Sequence, residues 1–247
     1  MKIATAFLLS VLATSMLSAA ERIDPKALAS LKRMSDTLAS AKAFTFKSRT
    51  IYEVPTGNGQ SLTVFSTAEV ALKRPDKLRA ILRGGAPWFD FFYNGEIISA
   101  YAPVPKVYSI GQAPPSLDAL LSGHDQENSY RFVSAPIFVS DPYPFLTKTL
   151  VSAVVVGPDM VQGTPCEHLA FRSQRVNWEI WIESNARALP SRLSVTFTDR
   201  ADRPRTLVEF SHWNLHPWLF DGSFVFRKPG KATEVPFASV LEAAANK

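Results

Sequence analysis

The chain has 247 residues, a formal net charge of +5 and a single cysteine, Cys166. This length suits one large domain with a sizeable hydrophobic core. The mild positive charge is spread between apolar residues without a basic block, which argues against a nucleic-acid-binding protein. One cysteine excludes an internal disulfide, and a small buried thiol is a simpler explanation for it than a bond to another chain.

Residues 1–20 have the pattern of a bacterial secretory signal peptide. Lys2 precedes a mainly apolar run from Ile3 to Leu17, and the small residues Ser18-Ala19-Ala20 supply a cleavage site. The run is shorter than the roughly 20 residues that a membrane-spanning helix needs, so an uncleaved anchor is the less favoured alternative. We therefore expect cleavage near Ala20 and one soluble periplasmic domain over residues 21–247.

A helix is predicted directly after the signal peptide. Asp24-Pro25 supplies a capping carboxylate followed by proline at the first helical position. Apolar residues then recur every three or four positions, which is the spacing of one helix face. These residues are Leu28, Leu31, Met34, Leu38 and Ala41. The helix is expected to end near Lys42, with Leu31 and Leu38 facing the structure that follows.

Beyond Lys42 the hydrophobic period changes to two, which predicts strands. The runs 44–54 and 62–73 flank the turn Thr56-Gly57-Asn58-Gly59 and indicate a hairpin. Pro75 separates the second run from the next strand, which begins at Leu78, because proline cannot donate to a sheet ladder. Further strands are predicted over 87–93, 96–101 and 106–110, the first two joined by Asn94-Gly95.

Two short helices are predicted in the middle of the chain, from Pro115 to Leu121 and from Pro142 to Leu150, with a strand over 131–140 between them. The last third contains six further strand patterns: 153–160, 166–172, 176–183, 192–198, 205–213 and 223–226. The sequence thus predicts a mainly β fold with some α structure. It would be a single strongly curved antiparallel sheet of about eleven strands, an unclosed β-barrel with an N-terminal helix and short lid helices.

No catalytic pattern stands out. The nucleophile elbow, the P-loop and the Rossmann glycine pattern are all absent. His212 and His216 are four residues apart, but they lie at a predicted strand end and turn, so ordinary histidines explain them better than a metal site. The remaining histidines are His124 and His168. We expect a protein without cofactor or metal, and an enzyme is the least favoured interpretation.

Apolar and aromatic residues crowd the inward positions of the predicted strands. A single curved sheet with three helices either fills its inner face with its own side chains or leaves a largely apolar cavity, which would suit a lipophilic ligand. Both alternatives stay open. The residues predicted to line such a cavity are Phe46, Leu62, Val64, Val70, Leu72, Phe89, Phe91, Trp178, Ile180 and Phe197.

Several motifs occur in the same order as in the family of periplasmic carriers of outer-membrane lipoproteins. Val70 to Ala80 resembles the K-R-P stretch of that family, and Phe44 to Lys47 is similar to its first strand. Tyr93 to Pro103 resembles its D-G-K hairpin. Phe220 to Gly230 resembles its closing F-x-F-x-P-P-x-G strand, although Lys228 stands where that motif usually has its first proline.

A second resemblance is closer. Gly163 to Ala170, Trp178 to Glu183 and Leu189-Pro190 resemble the hallmarks of a group of predicted periplasmic proteins that shares the carrier fold but has no assigned activity. Fold therefore transfers from this resemblance better than function does.

The resemblance implies an unclosed barrel of about eleven strands with helices lying over its open side as a lid. In the carrier family the arginine of K-R-P lies inside and hydrogen-bonds the lid, and the resemblance gives that role of lid latch to Arg74. We expect its partner in one of the two middle helices, Pro115 to Leu121 or Pro142 to Leu150. The alternative is an arginine whose stem packs on the sheet rim while its head meets water.

The favoured function is a periplasmic binding protein for a lipophilic ligand, with a lipid or an acylated protein as its partner. We expect a monomer that contacts a membrane or membrane protein transiently and binds no nucleic acid. The alternative is a non-catalytic interaction module whose barrel is filled by its own side chains.

Overall fold

One twelve-stranded sheet organises the molecule. The computed structural model describes residues 22–85, 88–122 and 133–245, so the predicted signal peptide and His124 lie outside the described residues. The helices are α1 (Pro25–Ser40), α2 (Leu117–Ser122), α3 (Pro142–Thr147) and α4 (Phe237–Ala245). The strands are β1 (Ala43–Pro55), β2 (Ser61–Lys73), β3 (Lys77–Gly84), β4 (Phe89–Tyr93), β5 (Ile97–Ala102), β6 (Val107–Gln112), β7 (Leu150–Val161), β8 (Thr164–Ser173), β9 (Val176–Glu183), β10 (Pro190–Phe197), β11 (Arg205–Asn214) and β12 (Thr233–Glu234).

The strand order is β12-β6-β5-β4-β3-β2-β1-β11-β10-β9-β8-β7. Neighbouring strands are antiparallel except for the two-residue β12, which pairs parallel with β6. The sheet is not closed, because β12 and β7 are its two edges. The predicted fold class is confirmed, and the parallel β12 is a strand that the sequence did not indicate.

Helix α1 begins as the sequence predicted. The Asp24 carboxylate accepts a hydrogen bond from the Lys26 backbone N–H at 2.9 Å, and proline occupies the first turn. Leu31 and Leu38 are fully buried, which confirms the predicted apolar face. This face packs on the inner side of β7 and β9, and α1 also contacts α3.

The inner face of the sheet is the face that Phe46, Val70 and Phe91 share. Register pairs connect these positions, since Phe46 opposes Val70, Val70 opposes Ala80 and Ala80 opposes Phe91. Between β6 and β7 the chain leaves this sheet, and α2, a 3₁₀ turn and α3 cross the inner face. Residues 113–149 are called the lid below, and only their described parts, 113–122 and 133–149, are discussed.

Two predicted strands are wrong. Within 131–140 the described residues form a 3₁₀ turn at Ala135–Ile137, because Pro136 cannot donate to a ladder and the alternating apolar residues face the sheet from the lid. Within 223–226 a 3₁₀ turn at Asp221–Phe224 leads into an extended segment. There Phe226 packs on Tyr101 and other rings of the outer face, so the segment lies over the sheet and not in it.

Helix α4 was not predicted. It packs on the inner face of β5 and β6, where Val240 and Ala244 meet Ala100 and Ala102, with Phe89 of β4 in the same second, smaller core. Part of the concave face is therefore occupied by the C-terminal part of the chain itself.

Candidate ligand cavity

An apolar cavity of about 290 Å³ lies between the lid and the inner face of β9 and β10. Its lining consists of Leu121, Ser122, Val133, Ala135, Pro136, Ile137, Phe145, Leu146, Thr149, Ser173, Val176, Trp178, Leu193, Val195 and Phe197. Only Ser122, Thr149 and Ser173 among these carry hydroxyl groups. The volume is near the lower bound of about 300–1,000 Å³ that small-molecule sites span.

The floor of the cavity is a rigid aromatic surface. The Trp178 ring stacks on Phe171 with the centroids 4.1 Å apart and an interplanar angle of 15°. The indole N–H of Trp178 donates to the Ser173 hydroxyl at 3.3 Å, so this buried donor is satisfied within the floor. The side chains presented to the cavity are therefore mostly hydrocarbon.

The cavity has a mouth at one end of the sheet. This mouth end carries the β1–β2 turn (residues 56–60) and the β10–β11 turn (residues 198–204). Phe145 lines the cavity and is exposed, and the Arg200 guanidinium carbon lies 5.4 Å from the centroid of the lining ring Phe197.

The opposite end of the sheet, called the closed end, is blocked by aromatic packing. The Phe46 ring lies 4.9 Å from Phe138 of the lid and 4.6 Å from Trp213, measured between centroids. Phe44 is also within 5.8 Å of Phe138. These rings fill the space between lid and sheet, so the cavity does not extend into this half.

The ten predicted lining residues occupy four different environments. Trp178 and Phe197 line the cavity. Ile180, Phe46 and Leu72 are buried in the main core, where Val70 and Phe91 pack half-buried against them. Phe89 lies beneath α4, whereas Val64 is half-buried and Leu62 is exposed on the β1–β2 hairpin.

Sequence reasoning missed much of the lining. Leu193 and Val195 could have been found by continuing the period-2 pattern back from Phe197 along β10. The lid residues Ala135, Ile137 and Leu146 carry no such signal, because nothing local in the sequence says which part of the sheet a loop will cover.

Arg74 lies at the closed end and joins three elements. Its Nη2 donates to the carbonyl of Val139 in the lid at 3.0 Å and to the carbonyl of Leu38 at 3.4 Å. Leu38 is in the last turn of α1, where helix carbonyls lack intrahelical partners. Burial lowers the pKa of the Arg74 guanidinium from its usual value. The sequence placed the partner in α2 or α3, but Val139 lies in the turn between them.

Other contacts hold the lid at the same end. The Leu117 backbone N–H donates to the Pro75 carbonyl at 3.1 Å, beside Arg74. Within the lid itself, the Asp118 carboxylate accepts hydrogen bonds from the backbone N–H of Ser140, at 2.7 Å, and from its hydroxyl. The Tyr93 hydroxyl donates to the Pro114 carbonyl at 2.9 Å. The lid is thus fastened beside Arg74.

In the described part of the chain, no group of three or more His, Cys, Asp or Glu side chains could hold a metal ion. His168 stacks on Trp181 and lies 3.0 Å from a Glu179 oxygen on the outer face, away from the cavity. His212 contacts the Ser211 hydroxyl. Over the same residues, no helix is long and apolar enough to cross a membrane.

Cys166 is expected to resist thiol reagents while the protein is folded. Its side chain is buried, its Sγ donates to the Thr164 carbonyl at 3.4 Å, and burial raises the pKa of the thiol, so little reactive thiolate forms at neutral pH. Labelling should be slow in native buffer and fast in denaturant. Rapid labelling of the native protein would contradict this assignment.

The fold and the cavity define a mainly β protein whose single unclosed sheet is partly covered by helices on its concave side. Residues 27–238 match the model of a family described as "Predicted periplasmic protein (DUF2092)". The chain belongs to this family, and the resemblance to a predicted periplasmic group is confirmed. No curated protein matches the chain.

Solved structures with a similar fold have low sequence identity to this chain. An uncharacterised conserved protein from Thermus thermophilus is 12% identical at a TM-score of 0.48, covering 85% of this chain and 98% of its own. The lipoprotein LppX from Mycobacterium tuberculosis is 16% identical at a TM-score of 0.46, covering 77% and 96%. A LolA superfamily protein from Nitrosomonas europaea is 11% identical at 0.42, covering 81% and 97%. At these TM-scores we draw nothing about ligands from the similarities.

Proposed function

We propose that the protein is a periplasmic binding protein for a lipophilic ligand, either a lipid or the acyl group of a lipid-modified protein. The observation that carries this proposal is the cavity of about 290 Å³, with a mouth at one end and three hydroxyl-bearing side chains among fifteen lining residues. Each methylene moved from water into such a site contributes about 0.8 kcal/mol, so apolar contact alone provides affinity. No catalytic residue is required.

A second candidate is an interaction module with a self-filled barrel, and one observation favours it. Most of the concave face is already occupied, by α1 on one side, by α4 on the other and by the Phe46 cluster at the closed end. The cavity between the lid and the inner face of β9 and β10 is the unoccupied part of this face among the described residues. The two candidates therefore differ in whether that cavity accepts a ligand.

The test uses an environment-sensitive apolar fluorescent probe with the folded protein. Val195 lines the cavity, and Val195→Trp should fill it and weaken probe binding at least about tenfold, a change of about 1.4 kcal/mol. Val156→Trp is the matched control, because Val156 is exposed on β7 outside the cavity, and it should leave the affinity unchanged.

Two outcomes would favour the filled module. One is probe binding that appears only on denaturation, and the other is equal binding by both tryptophan variants and the wild type. Thermal melting must accompany each measurement, since overpacking a core costs about 1–3 kcal/mol. Native mass spectrometry of protein from its own host would then identify any lipid that stays bound.

A further inference from the structure

A buried hydroxyl group in the cavity lining has a hydrogen without an acceptor. Ser173 lines the cavity and is 8% exposed. Its Oγ accepts the indole N–H of Trp178 at 3.3 Å, and its own O–H donates to none of the described residues. A serine hydroxyl is a donor as well as an acceptor, and a buried donor without a partner is costly. The Ser173 O–H is therefore available to a group inside the cavity.

The other two hydroxyl groups of the lining differ from that of Ser173. The Ser122 hydroxyl already donates to the Asp118 carbonyl one turn earlier in α2. Thr149 is exposed, so water satisfies its hydroxyl group. Among the fifteen lining residues, Ser173 alone has a buried hydroxyl that can still donate. A ligand that fills the cavity has to place an acceptor there or leave this O–H unpaired.

Strand register places Ser173 at the mouth. Val176 of β9 opposes Phe197 of β10, and the pairing of β8 with β9 sets Ser173 beside Val176. These three residues lie at the same level, at the end of the sheet that carries the mouth. From there the lining on β10 continues inward through Val195 to Leu193. An acceptor bound to Ser173 would therefore have the apolar depth of the cavity on its inner side.

The cavity inward of Ser173 has the dimensions of one acyl chain. Four residues of strand separate Phe197 from Leu193, which is roughly 13 Å at about 3.3 Å per residue. An extended hydrocarbon chain advances about 1.3 Å per C–C bond, so this depth corresponds to about ten methylene groups. The volume agrees, because 290 Å³ holds about ten groups of the size of a water molecule, at about 30 Å³ each. Two chains of that length would not fit.

The charges around the mouth favour an uncharged acceptor. None of the fifteen lining residues carries a charge. In the β8–β9 turn the Arg175 guanidinium is paired with the Asp199 carboxylate at 2.6 Å, and Arg200, over the Phe197 ring, takes part in a further interaction. Burying a carboxylate without a partner costs more than burying a carbonyl group. A neutral carbonyl oxygen therefore suits the Ser173 donor better than a carboxylate does.

We propose that the cavity binds a single acyl chain of about ten carbons whose ester or amide carbonyl accepts a hydrogen bond from Ser173. The hydrocarbon runs past Trp178 and Val195 toward Leu193, and the group attached to the carbonyl leaves through the mouth. A lipid ester and the acyl group of a lipid-modified protein both contain this unit. This inference rests on the proposed function, because it names the ligand class of the same cavity.

The experiment compares how methyl decanoate and methyl decyl ether displace the apolar fluorescent probe from the folded protein. The ether has a methylene group in place of the carbonyl and is otherwise the same chain. Because one hydrogen bond distinguishes the two compounds, the wild type should bind the ester about 2- to 10-fold tighter than the ether. Ser173→Ala should abolish this preference, since the donor is gone.

Ser194→Ala is the matched control. Ser194 lies on the outer face of β10, is 1% exposed and accepts the Arg205 Nε–H at 2.8 Å, so its loss also leaves a side-chain N–H without its acceptor. This variant should keep the wild-type preference for the ester. A purely structural role of Ser173 would lower the melting temperature of both variants and leave the ratio of the two affinities unchanged.

The chain length of the ester provides a second measurement. Affinity should rise about fourfold with each added methylene group up to about ten carbons and then level off. An affinity that still rises at about fourteen carbons would contradict the single-chain dimensions. Tighter binding of decanoate than of its methyl ester would contradict the neutral carbonyl.

Two larger compounds distinguish the sources of the acyl chain. One is 1-decanoylglycerol, which represents a lipid ester, and the other is an N-decanoyl cysteine amide, which represents a lipid-modified protein. The source is the compound that binds tighter than methyl decanoate. If neither binds, the group attached to the carbonyl does not pass through the mouth, and the proposal fails.

The same measurements separate this inference from the proposed function. Equal affinities of the wild type for ester and ether, or an ester preference that survives Ser173→Ala, would reject the role of Ser173 while probe binding keeps the cavity as a ligand site. Absence of probe binding to the folded wild type would reject the proposed function, and this inference with it.

Discussion

Replacing Phe46 with alanine is expected to lower the free energy of unfolding by about 3–5 kcal/mol. Phe46 is 4% exposed, and its ring is in contact with Phe138 of the lid and Trp213 near the end of β11. Rings of this size cannot move into the vacated space without leaving their own contacts, so a void remains at the junction of lid and sheet. Urea unfolding measures the loss.

Phe65→Ala is the matched control for this prediction. Phe65 lies on β2, the neighbouring strand, but it is 45% exposed on the outer face, where the Arg49 guanidinium carbon lies 4.8 Å from the ring centroid. Its replacement should cost less than about 1 kcal/mol. Equal losses for the two variants would mean that Phe46 does not join lid to sheet as described.

Eleven of the twelve strands could be predicted, because most of them alternate apolar and polar residues. The pattern at Phe44, Phe46 and Thr50 continues through β1, and the break at Pro75 falls in the turn between β2 and β3. Turn residues such as Asn94-Gly95 made the hairpins predictable. The period fails where an alternating segment lies on the sheet instead of in it, as at Ala135–Ile137.

The candidate site could be predicted only in part. Phe46 and Phe197 follow the same alternation on the same face, yet the lid covers the first and leaves room above the second. Contacts between residues far apart in the chain decide which of the two residues borders a cavity. The periodicity of the sequence carries no information about such contacts. Helix α4 is different, because Phe237, Val240, Leu241 and Ala244 have helical spacing and could have been found.

The two ends of the sheet differ in their contacts with the lid. At the closed end Phe46, Arg74 and Tyr93 all contact the lid, through ring contacts and hydrogen bonds. At the mouth end the described lid residues Phe145 and Leu146 line the cavity. Weakening the contacts of the closed end would therefore loosen the lid as a whole.

Arg74→Leu is expected to loosen the lid while the sheet stays folded. The substitution removes the charge-assisted hydrogen bonds to Val139 and Leu38, and bonds to charged groups contribute about 1.5–3 kcal/mol. If the lid amides exchange by opening, that loss corresponds to roughly 10- to 100-fold faster hydrogen exchange. The amides to follow are those of Ile137, Phe138 and Lys148, which bond within the lid.

Arg79→Leu is the control for the Arg74 prediction. Arg79 carries the same charge on β3, and its buried Nε, like that of Arg74, has no hydrogen-bond partner among the described residues. It lies on the outer face opposite Ala71 and Phe92, away from the lid. Arg74→Lys should give an intermediate rate, because a lysine can reach a carbonyl but lacks the planar fork. If the lid amides exchange equally fast in the wild type and Arg74→Leu, Arg74 does not latch the lid, and the other contacts of the closed end hold it.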